Sequence, residues 1–264
     1  MNDFTDQQVE ALSAILNLWP NERLTLVGAS AIGCFMEMRW RQTYDLDVSV
    51  CLAIEEASEG LGKLSGWKRH PSKEHEWTSP ENVRIDVIPA APKHLESGRL
   101  TWPESGVEMS LVGLRLAFEN REPIAITPDV TVHVAPVPVV AVLKMAAYLD
   151  RPSERQRDLE DLAFILEDYL HSNAEERFSK DIFDLGLTYE QTSAYVLGQR
   201  VGAMLNQTER NLVFAFVAKV EDEMEPLSTQ ARMAQLGPLA WRRDPNQLLQ
   251  RIAAFKLGID RKSR

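Results

Sequence analysis

The spacing of apolar residues changes repeatedly along this chain, and each change marks an element. From Thr5 to Pro20 apolar residues recur at helical spacing (Val9, Leu12, Ile15, Leu16). Thr5-Asp-Gln-Gln8 has the form of a capping box, so an amphipathic helix is predicted there. Arg23 to Val27 reads as a first strand, followed by a turn at Gly28-Ala29-Ser30 and a short helix from Ala31 to Met38 with Ser30 as its N-cap. A second apolar run ends at Val50 and alternates. Asp45, Asp47 and Ser49 share one strand face, and Leu46, Val48 and Val50 the other. Ile54 to Leu64 reads as a helix, and Trp67–His70, His75–Thr78 and Val83–Ile88 as strands. Pro89 to Gly106 is loop-like, while Val107–Phe118 and Pro123–Val134 are β-type sequence.

Pro136 and Pro138 mark a boundary, and helical spacing dominates beyond them. Val139–Leu149 is a helix interrupted by Lys144. Ser153-Glu-Arg-Gln156 reads as a second capping box, opening a helix with Leu159, Leu162, Ile165, Leu166 and Tyr169 as its buried stripe. Glu175–Phe183, Thr188–Leu205, Glu209–Met224 and Pro245–Phe255 continue the pattern. The fold class expected is therefore α/β, a small mixed-sheet core over residues 1–136 followed by a helical domain over 137–264.

Composition narrows the setting. A chain of 264 residues, 44% hydrophobic and 26% charged, is an ordinary globular protein with room for a substantial core. The polar, acidic opening has no signal-peptide pattern, and no apolar run reaches about 18 residues, so a cytoplasmic protein with no membrane span is expected. Cys34 and Cys51 lie among apolar neighbours, outside CxxC spacing, and read as buried free thiols. A net charge of −10 argues against non-specific coating of nucleic acid. The charge is uneven: residues 242–264 carry seven Lys or Arg against two Asp, and residues 154–225 carry 16 acidic against seven basic. The basic tail is either an RNA contact or a solvated helix end.

Candidate chemistry gathers at three places. The Gly28–Ser30 turn offers backbone N–H groups and a hydroxyl at a helix N-terminus, a seat for phosphate. Asp45 and Asp47 follow at a strand end, where strands disfavour Asp and where two carboxylates can hold divalent metal. Asp86 projects from the polar face of its own strand, either as a third member of this group or as a surface residue. Lys144 interrupts an apolar helical face, which is costly unless the ammonium reaches an anion or snorkels to water. His70 and His75 have no third ligand nearby in sequence and read as part of a solvated hairpin.

These residues resemble the nucleotidyltransferase superfamily, whose first motif is a Gly-x-Ser turn followed after a helix by Asp-x-Asp. Arg41-x-Thr43-x-Asp45-x-Asp47 narrows the resemblance to the AbiEii-like branch of abortive-infection and toxin–antitoxin systems. Lys144-x6-Arg151-x6-Asp158-x2-Asp161-Leu162 matches a second signature of that branch, with Arg157-Asp158 where the family has Lys-Asp. The resemblance implies transfer of a nucleoside monophosphate from NTP to a hydroxyl, with tRNA, another RNA or a protein as acceptor and a cognate antitoxin as a further partner. Asp45, Asp47 and Asp86 would hold two Mg²⁺ ions, or Mn²⁺, and Asp86 would activate the acceptor. Gly28, Ser30, Arg41, Lys144 and Asp158 would serve the nucleotide. Arg41 would either steady triphosphate charge or pair with nearby carboxylates, and Asp158 or Asp161 would orient Lys144. The same resemblance leaves room for a nucleotide-binding regulatory or antitoxin-like module and for an antibiotic nucleotidyltransferase.

Overall fold

The computed structural model describes residues 4–20, 22–171, 174–222 and 228–261. Helix α1 (Asp6–Leu18) opens on the predicted capping box: the Gln8 N–H donates to Thr5 Oγ1 at 3.2 Å and the Thr5 N–H to Gln8 Oε1 at 3.0 Å. Then follow β1 (Leu24–Val27), α2 (Gly28–Phe35), β2 (Leu46–Val50), α3 (Ile54–Gly62), β3 (Lys68–Arg69), β4 (Glu76–Thr78) and β5 (Arg84–Pro89). The next stretch departs from expectation. Residues 89–106, read as loop, contain α4 (Pro92–Ser97) and β6 (Arg99–Thr101), which pairs with β7 (Glu108–Ser110) in a separate two-stranded sheet. The second part of the β-type run 107–118 falls in helix α5 (Leu114–Glu119), in which Leu114, Leu116, Ala117 and Phe118 are buried. Such short apolar runs do not separate strand from helix by period alone. Strands β8 (Glu122–Ala125) and β9 (Thr131–Val134) complete the main sheet.

That sheet has seven strands in the order β3-β4-β5-β2-β1-β9-β8. It is mixed: β2 runs parallel to β5 and antiparallel to β1, and β1 runs parallel to β9. One face is apolar through the centre, with Leu46, Val48, Val50 and Ile85 fully buried, as the alternation in β2 and β5 requires. Helix α2 packs on β1 and β2.

Helix α6 (Val137–Asp150) follows, and the chain divides within it into two compact units, Met1–Leu143 and Lys144–Arg264. The second is helical: α7 (Gln156–Asp168), a 3₁₀ turn (Glu175–Phe178), α8 (Lys180–Asp184), α9 (Tyr189–Met204), α10 (Gln207–Glu221), α11 (Thr229–Leu236), α12 (Leu239–Arg243) and α13 (Asn246–Asp260). Of the expected stripe, Leu159, Leu162, Ile165 and Leu166 are fully buried, while Tyr169 is the C-cap of α7 and only half-buried. The second capping box does not form. Arg155 is the N-cap of α7 without a side-chain hydrogen bond, and residues 152–154 make a turn before it. The end of the run read as Glu209–Met224 lies outside the described residues.

The basic tail is mostly a core helix. In α13 the side chains of Leu248, Ile252, Phe255 and Ile259 are buried, and a Cβ added at Gly198 of α9 would overlap the Phe255 carbonyl oxygen, so the two backbones touch. Arg251 pairs with Glu167 at 2.9 Å and Lys256 with Glu221 at 3.2 Å. Residues 262–264 lie outside the described residues. Cys34 and Cys51 are free and half-buried rather than fully buried; burial pushes the Cys34 thiol up to about 11. Among the described residues no helix is long and apolar enough to cross a membrane.

Candidate active site

Three neighbouring strands carry the site. Strand β2 pairs with β5 in parallel, with Leu46 opposite Ile85, Asp47 opposite Asp86 and Val48 opposite Val87. Partners in register present their side chains on the same face, and adjacent strands lie about 4.8 Å apart. Asp47 and Asp86, 39 positions apart in sequence, are thus side by side on the face opposite the apolar core. The alternation legible in each strand sets which face they share; the strand pairing makes them neighbours.

Gly28 closes the site from the β1 side. Val27 lies opposite Asp47 in the β1–β2 ladder, and Gly28 follows with φ of +68°, a conformation that costs glycine little. A Cβ there would overlap the Asp47 carboxylate. The glycine therefore lets the backbone at the start of α2 approach Asp47 directly. Replacing it with alanine should strain the backbone by about 1 kcal/mol and turn Asp47 aside. Thermal melts should show a modest loss of stability together with loss of stabilisation by Mg²⁺ and NTP; a variant that keeps the full ligand response would separate the glycine from the site.

Helix α2 begins at Gly28 rather than Ala31, with Val27 as an N-cap that makes no side-chain bond. The N–H groups of Gly28, Ala29 and Ser30 belong to the first turn, where a helix has no acceptors of its own. Ser30 is not the cap. It is buried inside the helix, and its hydroxyl donates to the Asp45 carbonyl oxygen at 2.8 Å, tying α2 to the entry of β2.

Asp45 stands just before β2. Its carboxylate accepts from Thr43 Oγ1 at 2.8 Å and is paired with Arg84, which precedes Asp86 by two residues on β5 and so shares its face. Arg41 is half-buried in the irregular segment leading into β2. Arg84 was visible in the sequence as the polar partner of Asp86 in Val83-Arg-Ile-Asp-Val87, but its reach to Asp45 depends on the β2–β5 pairing.

The donor set of Asp47, Asp86 and Asp45 is all carboxylate oxygen, the chemistry that Mg²⁺ and Mn²⁺ take. The Gly28 backbone leaves space beside Asp47 that any side chain would fill. Among the described residues no three His, Cys, Asp or Glu side chains are gathered closely enough to hold an ion as they stand, and Asp45 is held by Arg84 and Thr43. The carboxylates thus fit a hard cation in kind, with Asp45 drawn toward Arg84.

The second motif group makes a compact cluster of its own in the helical unit. Lys144 Nζ lies 2.8 Å from Asp158 Oδ1 and 2.7 Å from Asp161 Oδ2. Lys144 is only 6% exposed and Asp161 is fully buried. Burial pushes the ammonium pKa down, but the two carboxylates outweigh it and hold the pKa above the usual lysine value. Spacing in sequence placed Asp158 and Asp161 one helical turn apart; that both reach one ammonium follows from how α6 and α7 lie together.

The site thus lies on a mixed α/β sheet, with a helix that starts at Gly28 and carboxylates on adjacent parallel strands. The model of the family "Nucleotidyl transferase AbiEii toxin, Type IV TA system" matches residues 11–251, and the chain belongs to that family. No curated protein matches it significantly. Among solved structures, one of an H. pylori protein with a provisional nucleotidyltransferase name aligns over 97% of this chain and 96% of that one, at 13% identity and a TM-score of 0.34.

Proposed function

We propose that this nucleotidyltransferase is metal-dependent and moves a nucleoside monophosphate from NTP to an acceptor hydroxyl, acting as the toxin of a toxin–antitoxin pair. The carrying observation is the rung Val27–Asp47–Asp86, with Gly28 against the Asp47 carboxylate. Asp47 and Asp86, with Asp45 at the strand entry, are the residues that would hold divalent metal. A divalent metal held there would supply positive charge that neutralises the phosphates. First-turn N–H groups of α2 offer donors to phosphate oxygens, Ser30 through its amide because its hydroxyl is committed to Asp45. Asp86 would accept the proton of the attacking hydroxyl. Arg41 and Arg84 supply positive charge at the edge of the site. Membership of a type IV toxin–antitoxin family supports a cognate antitoxin as the partner.

Incubation with each of the four α-labelled NTPs, Mg²⁺ and total tRNA, followed by gel separation, tests the reading. Labelled RNA with the wild type and none with Asp47→Ala is the expected result. Label on the protein itself or on an added protein would move the acceptor class from RNA to protein. No transfer from any NTP to either class would overturn it.

A further inference from the structure

The charged row on the site face continues past Asp86. Strand β4 runs antiparallel to β5 with Glu76 directly opposite Asp86, and β5 sets Asp86 opposite Asp47. Three carboxylates therefore stand abreast on three adjacent strands, an arrangement in which like charges repel. Glu76 is nevertheless only 7% exposed.

Two basic groups address it. Lys73, in the β3–β4 hairpin turn, donates from Nζ to Glu76 Oε2 at 2.7 Å, and His70 Nε2 lies 3.9 Å from Oε1. The Lys73 side chain is 49% exposed, so one end of it faces solvent beside the row. The hydrogen bond to Glu76 raises the ammonium pKa, burial opposes this, and the charges of Glu76 and Asp86 add to the rise. Asp86 is thus within electrostatic reach of Lys73. Two residues earlier on the same two strands, Arg84 of β5 is paired with Asp45 at the entry of β2.

We propose that Lys73, anchored by Glu76, is a positioning residue of the transfer site: a resident counter-cation that keeps Asp86 abreast of Asp47 until a metal–nucleotide arrives. Lys73 has this role only if Asp47 and Asp86 are the metal carboxylates proposed above. An ammonium beside the row repels a free divalent ion, which is cationic. It attracts a metal–triphosphate, which is anionic. Removing it should therefore change the two affinities in opposite directions, which loss of a structural contact would not do.

The test uses the full chain and two probes, Mn²⁺ alone followed by electron paramagnetic resonance, and Mn²⁺ tripolyphosphate followed by calorimetry. Lys73→Met should bind free Mn²⁺ about threefold more tightly and Mn²⁺ tripolyphosphate about threefold more weakly at low ionic strength. Lys73→Arg should restore both values, and both shifts should collapse in about 1 M salt, where screening acts over roughly 3 Å. Unchanged affinities in Lys73→Met, or a parallel fall in both, would overturn the proposal and leave the pair as a hairpin clip. A wild type that binds no Mn²⁺, or an Asp47→Asn variant that binds it equally well, would overturn the metal reading itself and the Lys73 role with it.

Discussion

Lys144→Met should destabilise the helical unit by about 3–5 kcal/mol, the cost of breaking a buried ion pair by removing one partner. The ammonium stands between Asp158 and Asp161 at hydrogen-bonding distance from both, and Met would leave two buried carboxylates facing each other without it. Domains of this size are stable by only about 5–15 kcal/mol, so much of the margin would go. Urea or thermal unfolding followed by circular dichroism measures it. Adding Asp158→Asn and Asp161→Asn should return part of the loss, because the uncharged amides no longer require a cation. The wild-type cluster also carries a pH signature. A lysine whose folded pKa is raised contributes its full stability below the ordinary lysine value of 10.5 and loses it as the pH climbs through the folded value. Melting temperature should thus fall above about pH 10.5, beyond any common alkaline slope, and Lys144→Met should lack that component. A Lys144→Met protein that melts like the wild type would show that the cluster contributes little to stability.

Asp47→Ala should do the reverse, leaving the fold intact and removing activity. Its carboxylate faces Asp86 across the β2–β5 ladder, and taking away one of two adjacent like charges relieves repulsion in the metal-free protein. Stability without ligand should be equal or slightly higher. Transfer should fall about a thousandfold or more, since charge stabilisation of the transition state would lose its support. With Mg²⁺ and NTP at about 100 times the dissociation constant, the wild type should gain about 2.7 kcal/mol by mass action and the variant almost nothing. Equal gains in the two proteins would remove Asp47 from the metal site.

Local order in the chain made several features readable in advance. Alternation in Leu46–Val50 and Val83–Ile88 put Asp47 and Asp86 on polar faces, because side chains in a strand point to opposite sides in turn. The first capping box and most of the stripe of α7 are likewise local, depending on residues three or four apart. Where local signals were short or competing, the reading failed. The Leu114–Glu119 run is apolar enough for either state, and tertiary burial settled it as helix. Ser153 lost its capping role to a turn, and Ser30 gave its hydroxyl to a carbonyl 15 residues away instead of capping a helix.

The sequence by itself determined the α/β class, the elements from α1 to β5 and the residue types of the candidate site, since these are written in periods of two and 3.6 residues. Tertiary structure alone decided which of those residues meet. Strand order sets Asp86 between Asp47 and Glu76, although 39 and 10 residues of chain separate them, and nothing local encodes that register. The same holds for Arg84 with Asp45 and for Lys144, whose sequence position fits an anion contact and a path to water equally. In the folded chain two carboxylates from the next helix receive it, because a charge placed in an apolar interior must be matched there.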